Sequence, residues 1–202
     1  QANSGSALAY VSADGRYIAF FSSASNLVSG DTNGFGDVFV FDRETAITSR
    51  VSVSSTGVQA NGDSYPLDIS QDGSFVLFTS IATNLVTGDT NGVPDVFVRD
   101  RQTGQTTRVS VDSAGRQGNL NSGTNGGSIS QDGSYVSFGS AATNLVSGDT
   151  NNASDIFVHD RQTGNTSRVS VSSGGAEANG SSVYPDISAD GRLVAFISDA
   201  TN

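Results

Sequence analysis

Three stretches of the chain carry oxygen-bearing side chains at one spacing. Asp31, Asn33 and Asp37 stand at positions 1, 3 and 7 of an Asp-x-Asn-x-x-x-Asp pattern; Asp89, Asn91 and Asp95 repeat it, as do Asp149, Asn151 and Asp155. Ca²⁺ takes about six to eight oxygens at about 2.3–2.6 Å, and alternate side chains on a tight loop can converge on one ion. Position 5 is Phe35, Val93 or Ala153, so it offers only a backbone carbonyl. Gly34 and Gly92 permit the turn, and the third copy substitutes Asn152, the next most tolerant residue of left-handed geometry. Position 12 is Asp42, Asp100 or Asp160. An alternating strand from position 7 would carry it roughly 16 Å away, so it is excluded as a ligand. The expectation is three equivalent calcium sites, weak because each has only two carboxylates, with Kd of about 10⁻⁴–10⁻³ M. The competing reading is an Asx-turn loop that holds no ion.

Other chemistry has less material. His159 is the single His and stands where Phe41 and Arg99 stand in the other copies, which reads as a partly exposed strand end. With no Cys, it can complete neither a zinc set nor a Cys–His pair. Arg50, Arg108 and Arg168 recur in every unit with Arg43, Arg101 and Arg161, and so do Asp42, Asp100 and Asp160. These read as turn-locking ion pairs. Carboxylates that do not repeat are Glu44, Glu177, Asp63, Asp112 and Asp199, the only candidates for a catalytic pair of the glycosidase kind. Arg116 to Gly127 is two residues longer than its counterparts and reads as a binding loop or a slack connection.

The elements that position these residues repeat as well. The Asp-Gly turns at Asp14, Asp72, Asp132 and Asp190 are 58, 60 and 58 residues apart. Each period predicts four strands. The first ends in Ser, as in Tyr65–Ser70. After Ser-x-Asp-Gly, a strong hairpin signal, comes a second strand such as Tyr17–Phe21, apolar on both faces as in a sheet packed between two others. The oxygen-rich loop follows, then Asp37–Phe41 and its copies. A turn leads to a fourth strand that begins at Arg50, Arg108 or Arg168. The units are 1–58, 59–116, 117–176 and a half unit 177–202. Four antiparallel strands per repeat predict an all-β fold of β-propeller blades, about three and a half in this chain. Only the long segment from Ser23 to Gly36 exceeds the usual blade of about 40–45 residues. A β-sandwich is the alternative and gives no reason for the repeat.

Ser-x-Asp-Gly-x-Tyr-Val-x-Phe followed by Asp-Val-Phe-Val-x-Asp-Arg resembles the WD40-like repeat of TolB-type β-propellers over the whole chain. The resemblance implies a propeller that is secreted, on the cell surface or periplasmic, usually a binding scaffold and usually bacterial. The family's Pro in Ser-Pro-Asp-Gly is replaced here by Ala13, Gln71, Gln131 or Ala189, and the long loop lies outside the family's minimal repeat.

Composition excludes several classes. Net charge is −10, all ten basic residues are Arg, and eighteen of the twenty acidic residues are Asp, which argues against a nucleic-acid ligand. No run of about 18 apolar residues predicts a membrane span. The chain begins at Gln1 and has no Met, which reads as a processed product or a segment. The second strand of the half unit, Leu193 to Ser198, with Val194 and Phe196, needs covering. The expected partners are therefore other copies of the chain or the remainder of a propeller, with a protein or glycan as possible ligand. The functional expectation is a calcium-binding extracellular scaffold without catalysis. A propeller hydrolase acting on glycan or peptide and a periplasmic protein-interaction hub are the alternatives.

Overall fold

A computed structural model describes residues 1–202. It contains fourteen strands and no helix. The first sheet is β1 (Ser6–Val11), β2 (Tyr17–Ser22), β3 (Asp37–Asp42) and β4 (Ile47–Arg50) in that order. The second is β5 (Ser64–Ile69), β6 (Phe75–Ser80), β7 (Asp95–Asp100) and β8 (Thr106–Arg108). The third is β9 (Ser122–Ile129), β10 (Tyr135–Ser140), β11 (Asp155–Asp160) and β12 (Thr166–Arg168). A two-stranded sheet of β13 (Ser182–Ile187) and β14 (Val194–Ser198) ends the chain. These are three propeller blades and half of a fourth.

The hairpin after each first strand is built from the repeated Ser-x-Asp-Gly. Ser12 Oγ donates to Asp14 Oδ1 at 2.6 Å, the Arg16 N–H donates to the same oxygen at 2.9 Å, and Gly15 takes φ 70°. The side chains thereby satisfy turn groups that the sheet cannot reach. The same contacts recur at Ser70 and Asp72, Ser130 and Asp132, and Ser188 and Asp190. The fourth strand lies earlier than the sequence suggested. Thr48 and Ser49 pair with β3, and the strand stops at Arg50. Beyond it Val53 donates back to the Val51 carbonyl, which turns the chain out of the sheet.

The chain divides into two compact units, Gln1–Gly92 with Phe97–Arg108, and Val93–Val96 with Val109–Asn202. In the first unit Ala19, Val38 and Val40 on one face of the first blade meet Ile69, Val76, Phe78 and Phe97 of the second in one buried cluster. Phe78 and Phe97 stack at 5.6 Å. In the second unit Val136, Phe138, Ile156 and Phe157 are fully buried, and Phe138 and Phe157 stack at 5.9 Å.

Two expectations change here. The longer stretch from Arg116 to Gly127 is not a slack loop. Its end is taken into β9, where the register shifts between Phe138 and Ser140 and Gly123 and Gly126 adopt positive φ. The extra residues form a bulge, which keeps the blade paired on both sides of the insertion. His159 is not exposed. It is 7% accessible, and Nδ1 lies 2.9 Å from Thr166 Oγ1. Burial, with Arg161 nearby, lowers its pKa. Arg99 at the same place in the second blade reaches the carbonyls of Ser54 and Gly104, so the position anchors the strand end.

Candidate functional site: carboxylate–arginine clusters in the repeated loops

In the first and third loops the aspartates come together as the spacing implied, and in all three an arginine that the spacing did not place there meets a loop aspartate. Arg50 ends β4 beside the start of β3, and its Nη1 lies 3.1 Å from both Asp31 Oδ1 and Asp37 Oδ2. All three side chains are almost fully buried, at 9%, 5% and 1% accessibility. Burial, with the charge of Asp37, raises the pKa of Asp31 against the pull of Arg50. Ser52 Oγ donates to Asp37 Oδ1 at 2.6 Å and accepts from the Val38 N–H, which locks the carboxylate to the strand.

Asn33 takes part through its amide nitrogen. Nδ2 donates to Asp37 Oδ2 at 3.0 Å and to the Ala60 carbonyl at 3.1 Å. Its oxygen accepts the Phe35 N–H, an Asx turn. Phe35 thus contributes its N–H to the loop. In the second copy Arg108 Nη1 lies 3.5 Å from Asp89 Oδ1. Ser110 Oγ donates to Asp95 and accepts from Val96.

The third copy differs in charge. Arg168 Nη1 lies 3.7 Å from Asp149, 3.6 Å from Asp155 and 2.6 Å from Glu177. Glu177 stands where Gln59 and Gln117 stand in the earlier units, the three bridged to Val171, Val53 and Val111 respectively. Gln59 accepts the Thr32 N–H at 3.1 Å; Glu177 accepts the Thr150 N–H at 2.8 Å and its hydroxyl at 2.8 Å. Asn151 donates to Asp155 and to the Ala178 carbonyl, and Ala153 donates to Asn151, as in the first copy. Three carboxylates therefore share one guanidinium. Burial and the charge of Asp155 push the Asp149 pKa up to about 6, with Glu177 adding to the rise. The Thr150 N–H, followed by the Thr150 hydroxyl and Arg168, holds Glu177 down at about 2.

The fit of a cation follows from these contacts. In the first loop, an ion between the carboxylates requires the guanidinium to move and the Asn33 amide to rotate. In the third loop Arg168 and the Asn151 amide stand in the same places and must move too; there single carboxylate oxygens of Asp149, Asp155 and Glu177 lie within 4.8 Å of one another, a spacing compatible with a shared oxygen shell. Sequence reasoning missed the arginines and Glu177 as members of these clusters. The signal available for Glu177 was its alignment with two glutamines.

Of the four remaining singular carboxylates three have a partner, while Asp199 is placed by its N–H, which donates to the Ser181 carbonyl at 2.9 Å. Glu44 lies 2.7 Å from Arg16, which also pairs with Asp42 at 2.9 Å. Asp63 accepts the Gly36 N–H at 2.7 Å, and Asp112 pairs with Arg116 at 2.6 Å. Asp42 pairs with Arg16, an arginine the turn-locking reading did not include; Arg43 and Arg101 instead hold the turns through the carbonyls of Gly15 and Gly73, and Arg50 pairs with loop aspartates.

Each compact unit also has a groove at the same repeat positions. One, of about 720 Å³, is lined by Ser54, Thr56, Asn84, Val86, Thr106 and neighbours. The other, of about 680 Å³, is lined by Asp112, Ala114, Asn144, Val146, Thr166 and neighbours.

Among solved structures, TolB from Acinetobacter baumannii is similar over 98% of this chain and 39% of its own, at 20% identity and a TM-score of 0.57. The fold is that of the TolB β-propeller. A putative TolB from Agrobacterium tumefaciens matches over 98% of this chain and 55% of its own, at 17% identity and a TM-score of 0.57. The chain therefore spans about two fifths to just over half of these TolB chains. The TolB-like architecture is shared with an oligogalacturonate lyase from Vibrio parahaemolyticus, similar over 95% of this chain and 44% of its own, at 13% identity and a TM-score of 0.52. No protein-family model and no curated protein matches the sequence.

Proposed function

We propose that this chain is a non-catalytic binding scaffold working outside the cytoplasm. The carrying observation is the groove that recurs at equivalent positions in the two compact units, lined by hydroxyl, amide and apolar groups, with Arg108 in one and the Asp112–Arg116 pair in the other. Catalysis needs one converged set of reacting groups, whereas a surface repeated with the blades suits a ligand gripped at several places. The extracytoplasmic setting rests on the resemblance to TolB-type repeats. A soluble glycan and peptide panel tests this by calorimetry and product analysis together. Saturable binding without product is expected. Turnover that disappears in Glu177→Gln or Asp63→Asn would replace the scaffold with the hydrolase reading.

Calcium belongs to the same proposal, with the three loops ranked by charge. The first two have two carboxylates against one arginine; the third has three, so it should bind first. Binding to the folded state alone raises stability by mass action. The melting temperature should therefore rise in millimolar calcium relative to chelator, and Glu177→Gln should remove most of the rise. Asp89→Ala should leave most of it. Identical melting with calcium and with chelator would rule calcium out.

A further inference from the structure

We infer that the groove of the second compact unit binds a carboxylate, carried by an acidic side chain of a peptide, on the guanidinium of Arg116. This rests on the reading of the recurring grooves as binding surfaces and names what one of them selects. All of its lining lies in one compact unit. Arg116 opens the stretch that is two residues longer than its counterparts, and Asp112 is one of the carboxylates that do not repeat.

A tight turn borders the groove and recurs after β4, β8 and β12. After β4 the Ser54 N–H donates to the Val58 carbonyl at 2.8 Å, and Ser54 Oγ accepts the Val58 N–H at 3.1 Å. After β12 Ser172 and Ala176 make the same two bonds at 2.8 and 3.1 Å. A serine is therefore enough to close this turn. After β8 the Asp112 N–H donates to the Arg116 carbonyl at 2.9 Å, and Asp112 Oδ1 accepts the Arg116 N–H at 2.8 Å. That reproduces the serine's role and leaves Oδ2 over. Oδ2 accepts the Arg116 Nε–H at 2.6 Å. The second oxygen orients the guanidinium, a task the other two turns do not have. The two residues also change together: Asp112 replaces Ser where Arg116 replaces Val or Ala, and the turn needs neither.

The Asp112 side chain is 7% accessible and that of Arg116 79%. A buried anchor thus holds an exposed head. The arginines of the loop clusters give Nη1 to carboxylates, and Arg43, Arg101 and Arg161 give theirs to turn carbonyls. Arg116 commits Nε alone, so Nη1 and Nη2 remain as donors at the groove. Such a fork matches the two oxygens of a carboxylate, and its orientation is set before the ligand arrives.

Charge narrows the class of anion. Asp112 and Arg116 are the only charged side chains on the lining, and they cancel. On a chain of net charge −10, one negative charge meets less repulsion than a doubly charged phosphate. The rest of the lining suits a peptide. Ala114, Leu145 and Val146 offer apolar surface to the residues beside the acidic one, and no aromatic side chain is present for a sugar ring to lie on. In the first groove Ser54 and Val58 make the same lip neutral, which provides an internal control.

The probes are the acetylated, amidated pentapeptide Ala-Val-Glu-Val-Ala and its Ala-Val-Gln-Val-Ala counterpart. Each is titrated to about 10 mM, which covers weak binding, into the ¹⁵N-labelled 202-residue chain and followed by NMR. The Glu peptide should shift the amides of residues 112–116 and the Arg116 Nε–H saturably. The Gln peptide should bind there at least about tenfold more weakly, because it lacks the charge-assisted pair. Asp112→Ser with Arg116→Val copies the first groove, keeps the turn closed and should erase the preference. Ser54→Asp with Val58→Arg should install it in the first groove, a gain that misfolding cannot imitate. Equal binding of the two peptides in the second groove overturns the inference, as does a preference that survives the double substitution or a graft that gains none. Glucuronate or inorganic phosphate moving the Arg116 signals where the Glu peptide does not also overturns it. If both peptides bind both grooves alike, the scaffold reading stands without the carboxylate site; if no probe moves either groove, both fall.

Discussion

Glu177→Gln converts the third loop into the chemistry of the first two, and its consequence can be worked out. In chelator, Asp149 faces Asp155 and Glu177 with Arg168 as the one counter-charge, and its pKa is raised from 3.8 to about 6. A raised acid pKa means that the folded state holds the proton more tightly. The stabilising contribution is complete below the unfolded value and is lost as pH rises through the folded one. Between pH 7 and pH 5 the folded protein should gain about 1.3 kcal/mol from this group. For a chain of this size that is roughly 3–5 °C in melting temperature. Glu177 is depressed to about 2, so it stays ionised in the folded protein, but the unfolded chain begins to protonate it near pH 5, which takes back a small part of the gain. His159 acts oppositely, because its lowered pKa makes acid destabilising, but it does so equally in both proteins. In Glu177→Gln the amide can still accept the Thr150 N–H, as Gln59 does for Thr32. The repulsion on Asp149 falls, and its pKa should drop. The assay is the difference in melting temperature between wild type and variant from pH 7 to pH 5. Burial and Asp155 remain, so the difference should shift towards the wild type by the smaller part of those degrees that Glu177 contributes. Parallel curves would refute the electrostatic account of this cluster.

Arg50→Ala leaves Asp31 and Asp37 buried without their counter-charge and should cost about 3–5 kcal/mol in chemical denaturation; a loss under about 1 kcal/mol would mean that water already screens the pair. Gly73→Ala places a methyl group against the Tyr17 ring at a residue with φ 71°, and should destabilise by about 2 kcal/mol or more, visible as a lower denaturation midpoint. His159→Phe copies Phe41 and loses one hydrogen bond to Thr166, so it should cost no more than about 1.5 kcal/mol at pH 7. The variant should gain on the wild type as pH falls towards 5, because only the wild type has a His to protonate; a constant gap would show that His159 does not titrate differently on folding.

The chain alone determined the blade. A repeat of 58 to 60 residues, period-2 apolar runs and Ser-x-Asp-Gly turns specify sheet order, hairpins and the faces that meet, because strand alternation and turn geometry are local properties. It also determined that the three aspartate loops are equivalent in backbone. What it could not determine is who stands opposite them. Arg50 reaches Asp31 and Asp37 only because β4 pairs antiparallel with β3 and ends beside that strand's start. Read in sequence, Arg50 opened a strand; in space it closes one. Glu177 reaches Thr150 across 27 residues, so one Gln-to-Glu difference far along the chain changes the charge of a loop it does not belong to. The burial of His159 and the absorption of the extra residues into β9 have the same origin. Pairing across a sheet is set by neighbouring strands, and a strand's own pattern does not record which side chain its neighbour will present.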